Sequence, residues 1–160
     1  GSGCIAITLD LEEPNMNVVA SDISFEALEV AESNNKKLGA NVKFYQGDML
    51  QPLIEKNLKF DILVSNPPYI PDDEYVEDIV RNNEPHVALF GGKNGMYFYD
   101  IILKDASKVL NTPNIIAFEH SYNKKKEMHE LINKYFPNST YETIKDLSGK
   151  DRMTVIINKE

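Results

Sequence analysis

A doubly wound α/β domain, its sheet mostly parallel with an antiparallel strand pair at the C-terminal end, is the fold class this sequence predicts. Three observations predict it. Short apolar runs alternate along the chain with segments whose apolar residues recur at helical spacing. One run, Phe60–Ser65, is apolar almost without interruption, the pattern of a strand buried on both faces inside a parallel sheet. The last two strand-like runs are joined by a short polar segment containing a glycine, which suits an antiparallel pair.

Gly1-Ser2-Gly3 runs into Cys4-Ile5-Ala6-Ile7-Thr8-Leu9, a glycine turn opening a helix. Asn17–Ser21 reads as a short buried strand. A helix follows from about Ser24 to Leu38: Ser24 is placed to accept a free N–H, Glu26 suits the positive helix end, and Gly39 stops it. Ala27, Leu28, Ala31 and Leu38 give this helix an apolar side. Val42–Gln46 is the next strand, and a short helical or loop segment through Pro52 to Asn57 leads into Phe60–Ser65, for which an interior sheet position is expected. After a long loop, Gly95–Leu110 reads as a helix, with Tyr97, Ile101, Ile102, Ala106 and Val109 or Leu110 at helical spacing. Asn114–His120 is a strand, and Lys124–Tyr135 is a helix ending before Pro137. Tyr141–Lys145 and Met153–Asn158 are the final strands, around Asp146-Leu147-Ser148-Gly149-Lys150-Asp151. Neither a repeat nor a linker divides residues 1–160, so one domain is expected. In a doubly wound sheet a strand precedes the glycine turn, so the natural chain is expected to continue upstream of Gly1.

Composition narrows the function classes. The 160 residues are 42 % hydrophobic and 26 % charged, an ordinary mixture for one buried core. A net charge of −8 argues against a nucleic-acid partner, because nonspecific binding relies on Lys and Arg neutralising phosphates. The dense basic run Lys124-Lys125-Lys126 reads as the solvated start of a helix. The single Cys4 cannot form an internal disulfide and suits a reducing cytoplasm. His86, His120 and His129 lack the spacing of a metal site, and no metal is expected. No apolar run reaches the roughly 20 residues that span a bilayer.

Chemistry-bearing residues recur where the predicted strands end. Gly1 and Gly3 let backbone approach a ligand closely at a helix N-terminus, although a flexible terminus accounts for them as well. Asp22, at the end of its strand and about 20 positions beyond the glycine turn, is placed to hydrogen-bond a ribose diol. It is also placed to cap the helix starting near Ser24; both can hold, and the spacing favours the ligand role. Asp48 and Met49 end the next strand; the carboxylate suits an adenine amino group and the thioether an adenine face, while a solvated turn explains Asp48 alone almost as well. Asn66-Pro67-Pro68-Tyr69 follows Phe60–Ser65. Each proline keeps the preceding residue extended and brings no N–H, so nearby carbonyls stay open as acceptors. The Asn66 side-chain oxygen and the Pro67 carbonyl can receive both N–H bonds of a substrate NH2, and Tyr69 can stack on its plane. A nitrogen held in this way is aimed at an electrophilic carbon.

Together Gly1-Ser2-Gly3-Cys4-Ile5-Ala6, Ser21-Asp22-Ile23-Ser24, Gln46-Gly47-Asp48 and Asn66-Pro67-Pro68-Tyr69-Ile70 resemble the Rossmann-like class I S-adenosylmethionine-dependent methyltransferases. Asn83-Glu84-Pro85-His86-Val87-Ala88-Leu89-Phe90-Gly91-Gly92, with Gly95, Phe118-Glu119-His120 and Asp146–Arg152, narrows the resemblance to the PrmC/HemK family. These enzymes methylate N5 of the glutamine in the Gly-Gly-Gln motif of peptide chain release factors. The resemblance implies that Gly1 and Gly3 contact S-adenosylmethionine, that Asp22 binds its ribose, and that Asp48 and Met49 flank its adenine. It also implies that Asn66 meets both cofactor and substrate, with Pro67, Pro68 and Tyr69 completing the glutamine pocket. Family members carry an Asp-x-Gly-x before Gly1 and an N-terminal helical domain, neither found in these 160 residues. They also often place glycine where this chain has Ser121. Two other readings use the same residues: a DNA or RNA amino-methyltransferase sharing the Asn-Pro-Pro-Tyr motif, and a ligand-binding fragment without catalysis.

Overall fold

The computed structural model describes residues 1–72 and 88–159, and Asn83-Glu84-Pro85-His86-Val87 lies outside them. The chain forms two compact units, Gly1–Leu58 and Lys59–Glu160.

The first unit runs α1 (Cys4–Glu12), β1 (Val19–Asp22), α2 (Phe25–Leu38), β2 (Lys43–Gln46) and α3 (Gln51–Glu55). Gly3, just before α1, holds φ +79, and a Cβ there would lie 3.0 Å from the Ala31 Cβ and 3.1 Å from Ile7 Cδ1. Glycine at this position therefore lets α1 pack closely on α2. The start of α2 is capped as expected, the Ser24 hydroxyl accepting from the Ala27 N–H at 3.1 Å, and Gly39 closes the helix at φ +72. Leu28 and Ala31 are buried. Leu38, read as part of the same apolar side, is 56 % exposed because it is the last helical residue, beside a Gly39 turn with open space around it. Asn35 ties the end of α2 to the strand that follows: its side chain accepts from the Val42 N–H at 3.1 Å and donates to the Val42 carbonyl at 3.4 Å. β1 and β2 are parallel and in register from Val19↔Lys43 to Asp22↔Gln46, so both carboxyl ends fall at one edge.

The second unit contains β3 (Phe60–Ser65), α4 (Tyr97–Val109), β4 (Leu110–Glu119), α5 (Lys125–Tyr135), β5 (Thr140–Lys145) and β6 (Asp151–Asn158). Its sheet has the order β3-β4-β6-β5, parallel between β3 and β4 and antiparallel thereafter. The predicted α/β class with an antiparallel C-terminal end is thus the one found. Its core is Tyr99, Ile102, Leu103, Ala106 and Val109 of α4 with Ile116 and Phe118 of β4, Met128 and Ile132 of α5 and Ile156 of β6.

Three expectations are corrected here. The helix predicted over Gly95–Leu110 is Tyr97–Val109, because Gly95 sits at φ +73 in a turn and Leu110 is already extended as the first residue of β4. Its buried stripe runs through Tyr99 rather than Tyr97, which is 57 % exposed. β3 is not buried on both faces: among the described residues only its β4 edge is paired, and Ile62 and Val64 stay 42 % and 40 % exposed. The hairpin between β5 and β6 is as expected, closed by a bond from the Asp146 N–H to the Lys150 carbonyl at 2.8 Å and by Gly149 at φ +78.

Candidate functional site

In the first unit, backbone and side-chain bonds join the two strand ends that carry Asp22, Asp48 and Met49. The Gly47 N–H donates to the Asp22 carbonyl at 2.9 Å, and the Ser21 hydroxyl donates to the Met49 carbonyl at 2.9 Å. Met49 holds φ +45, an unusual conformation for a residue with a side chain. Gly47 is also required here, since a Cβ on it would lie 2.8 Å from the ring of Pro52, a packing role the sequence did not disclose. One oxygen of Asp22 accepts from the Ser24 N–H at 2.9 Å, tightening the turn that enters α2, and the other meets the Gly1 nitrogen in the glycine turn. Gly1, Asp22, Asp48 and Met49 are thereby brought to one edge. Gly3 differs, its Cβ position being directed at Ala31 rather than at open space.

In the second unit, Asn66-Pro67-Pro68-Tyr69 leaves the carboxyl end of β3. Asn66 is exposed and Pro67 buried. Among the described residues, no hydrogen bond reaches the Asn66 amide or the Pro67 carbonyl. The backbone beyond is held firmly. Ile70 bridges to Phe90 in parallel, its N–H donating to the Leu89 carbonyl at 3.0 Å and its carbonyl accepting from the Gly91 N–H at 2.8 Å. A Cβ on Gly91 would lie 2.5 Å from the Pro68 carbonyl oxygen, and one on Gly95 would overlap the Tyr69 carbonyl oxygen. Gly91 and Gly95 therefore let that segment lie directly against the Asn-Pro-Pro-Tyr backbone.

The Tyr69 ring is half-buried, and its hydroxyl faces the Glu119 carboxylate and the Arg152 guanidinium. Burial raises the Tyr69 phenol above its ordinary value, and the Glu119 charge raises it further while Arg152 opposes. Tyr99, fully buried beside it, is also pushed up, by burial first and then by Tyr69 and Glu119. Both tyrosines stay neutral, as hydrogen-bonding groups, across the physiological range. Glu119 and Arg152 lay in segments the sequence marked, but without a role. The signal that brings them together is the antiparallel register Glu119↔Met153, which sets Arg152 beside the end of β4.

The described histidines and the lysine run have structural partners. His120 is buried, with its Nε2 2.8 Å from the Thr154 hydroxyl, and His129 Nε2 lies 2.9 Å from the Thr143 hydroxyl. No cluster of metal-ligating side chains occurs among the described residues, and no helix there is long and apolar enough to cross a membrane. Lys124, Lys125 and Lys126 each meet an acid, Glu127, Asp151 and Glu130, at 3.3, 3.2 and 3.9 Å.

An α/β fold whose second sheet is parallel between β3 and β4 and antiparallel thereafter is that of the class I methyltransferases. The chain belongs to the methyltransferase family, whose methyltransferase-domain model matches residues 1–159. In sequence it is similar to the release factor glutamine methyltransferase of Bacillus subtilis, 46 % identical over 95 % of this chain and 54 % of that protein. It is likewise similar to that of Bacillus anthracis, 43 % identical over 96 % of this chain and 55 % of that protein. The chain thus spans about half the length of the curated relatives it matches. Among solved structures, a methyltransferase from Pyrococcus furiosus shares the fold with a TM-score of 0.68 at 22 % identity, covering 97 % of this chain and 68 % of that one.

Proposed function

We propose that the protein carrying this chain methylates N5 of a glutamine side chain, that of the Gly-Gly-Gln motif in peptide chain release factors, using S-adenosylmethionine in the cytoplasm. Residues 1–160 are its methyltransferase domain. The observation that carries the reading is a pair of acceptors with no hydrogen bond among the described residues, the Asn66 amide oxygen and the Pro67 carbonyl, on a backbone braced by Gly91 and Gly95. The names of the curated relatives support the choice of release factor as substrate.

The residues of the first unit suit the donor. Asp22 presents a carboxylate oxygen toward the glycine turn, Asp48 is exposed at the next strand end, and Met49 offers an apolar surface between them. In our reading Gly1 and Asp22 serve the sugar and methionine portions and Asp48 and Met49 the adenine, while Gly3 serves chiefly by holding α1 against α2. The donor supplies an electrophilic methyl carbon on a sulfonium.

An amide nitrogen is a poor nucleophile because its lone pair is delocalised into the carbonyl. Asn66 and Pro67 accept the two N–H bonds, raise the electron density on nitrogen and fix its direction, and Pro68 and Tyr69 complete the pocket wall. The N–C bond forms as the C–S bond breaks, the bonding pair goes to sulfur, and the nitrogen then loses a proton to solvent. Asn66 also contacts the donor in this reading. The test is methyl transfer from labelled S-adenosylmethionine by the natural protein, offered a release factor and, in parallel, DNA and RNA. Label on the release-factor glutamine supports the proposal, and label on nucleic acid alone replaces it.

A further inference from the structure

Two segments that carry part of the family resemblance, Phe118-Glu119-His120 and Asp146–Arg152, take no part in holding donor or amide as set out above. The sheet register nevertheless converges them on the Asn-Pro-Pro-Tyr turn. Ser65, the last residue of β3, pairs with Phe118, and Phe118 and Glu119 pair with Thr154 and Met153. One position further, the His120 N–H donates to the Arg152 carbonyl at 2.9 Å. The ends of β3 and β4 and the start of β6 therefore share one edge.

Each charged group at that edge is itself held. The buried Tyr99 hydroxyl donates to the Glu119 carbonyl at 2.6 Å, fixing the backbone from which the carboxylate springs. Asp146 organises the hairpin turn: one oxygen accepts from the Ser148 and Lys150 N–H groups at 2.9 and 3.0 Å, and the other accepts from Arg152 Nε at 3.2 Å. The guanidinium is thus aimed by a residue of the turn, with donors left for the Tyr69 hydroxyl it faces. A phenol has one proton to give and lone pairs to share, so it can donate to Glu119 while accepting from Arg152.

We infer that Glu119 and Arg152 are positioning residues that clamp the Tyr69 hydroxyl between them, with the Asp146 turn aiming Arg152, and so set the plane against which the substrate amide lies. The inference rests on the amide-holding role of Asn66 to Tyr69 proposed above. A ring held at its far end cannot swing about its Cα–Cβ bond, so the amide plane is set before substrate arrives.

The test is a double-mutant cycle in the natural protein, with release factor as substrate. Tyr69→Phe and Glu119→Gln each lower kcat by about tenfold, the scale of coupling between neighbouring residues, and the pair together lowers it no further. The KM for the donor stays unchanged, and Arg152→Lys keeps activity that Arg152→Met loses. Additive losses in the double variant, or an unaltered kcat in Tyr69→Phe, overturn the clamp. An activity-independent arm uses 13C-tyrosine NMR, the Tyr69 signal being assigned by Tyr69→Phe. Glu119→Gln moves its titration down and Arg152→Met moves it up. A titration unmoved by both overturns the clamp whatever the enzyme methylates, whereas the two shifts without methyl transfer overturn the functional reading and keep the clamp. Should thermal melting show Glu119→Gln to be unfolded, Arg152→Met decides the question by the same readouts.

Discussion

Gly95 is where the bracing of the Asn-Pro-Pro-Tyr turn can be tested by a single methyl group. The residue holds φ +73, a conformation that costs an alanine about 1–2 kcal/mol. A Cβ would also overlap the carbonyl oxygen of Tyr69, a backbone atom that no rotamer change moves aside. Overpacking of this kind costs about 1–3 kcal/mol more. Gly95→Ala is therefore expected to lose about 2–5 kcal/mol in total. Gly149 is the matched control in the same unit: it holds φ +78 with nothing within 4 Å of its Cβ position, so Gly149→Ala shows the backbone cost alone. Urea unfolding followed by circular dichroism measures both, and the difference isolates the contact with Tyr69. Relief of the overlap shifts the Tyr69 carbonyl, so the fraction of Gly95→Ala that remains folded should also methylate more slowly than Gly149→Ala. Equal destabilisation in the two variants, with full activity in both, would refute the buttress.

Other expectations follow from the same contacts. Asn66→Ala abolishes methyl transfer while leaving the melting temperature near wild type, because the side chain is exposed and has no hydrogen bond among the described residues; a large drop in melting temperature would assign it a structural role instead. Asp22→Asn weakens S-adenosylmethionine binding in calorimetry, and unaltered affinity would remove Asp22 from the donor site. Ser24→Ala loses the cap on the Ala27 N–H and about 1 kcal/mol of stability, read by chemical unfolding. Burial first, then the charges of Lys125 and His120, holds the His129 imidazole below its ordinary 6.5. The folded state therefore favours the neutral ring, and its contribution is present above pH 6.5 and lost as pH falls through the lowered folded value. His129→Gln should flatten the loss of stability between neutral and mildly acid pH, and an unchanged pH profile would show that His129 does not supply it.

The fold was most legible where a local rule decides it. Ser24 and Gly39 bracket α2 because each satisfies or ends a run of backbone groups by itself, and Asp146 and Gly149 shape the last hairpin in the same way. Legibility fell where no breaker stands between elements. Val109 ends α4 and Leu110 begins β4 without an intervening glycine or proline, so an apolar residue suited to either was read as helix. The burial of Phe60–Ser65 was overstated because apolar content reports what a strand can bury, not how many of its edges are paired.

At the site, the acceptors were legible and their supports were not. Asn66 to Tyr69 follow from the chemistry of an Asn-Pro-Pro-Tyr run, and Asp22 and Asp48 from strand ends. That Gly91 and Gly95 are glycines because the Pro68 and Tyr69 carbonyls occupy the space of a Cβ depends on contacts across the intervening chain. The same holds for Glu119 and Arg152, which meet Tyr69 only once the β4–β6 register is known. Gly3, read as a ligand contact, has a packing duty against Ala31 that its sequence position did not reveal.

The most direct test of the central claim is to incubate the natural protein and its Asn66→Ala variant with S-adenosylmethionine and a release factor, then map methylation by mass spectrometry. The expected result is a single methyl on the side-chain nitrogen of the Gly-Gly-Gln glutamine with wild type and none with Asn66→Ala. A methyl group on any other residue, or equal modification by both proteins, would contradict it.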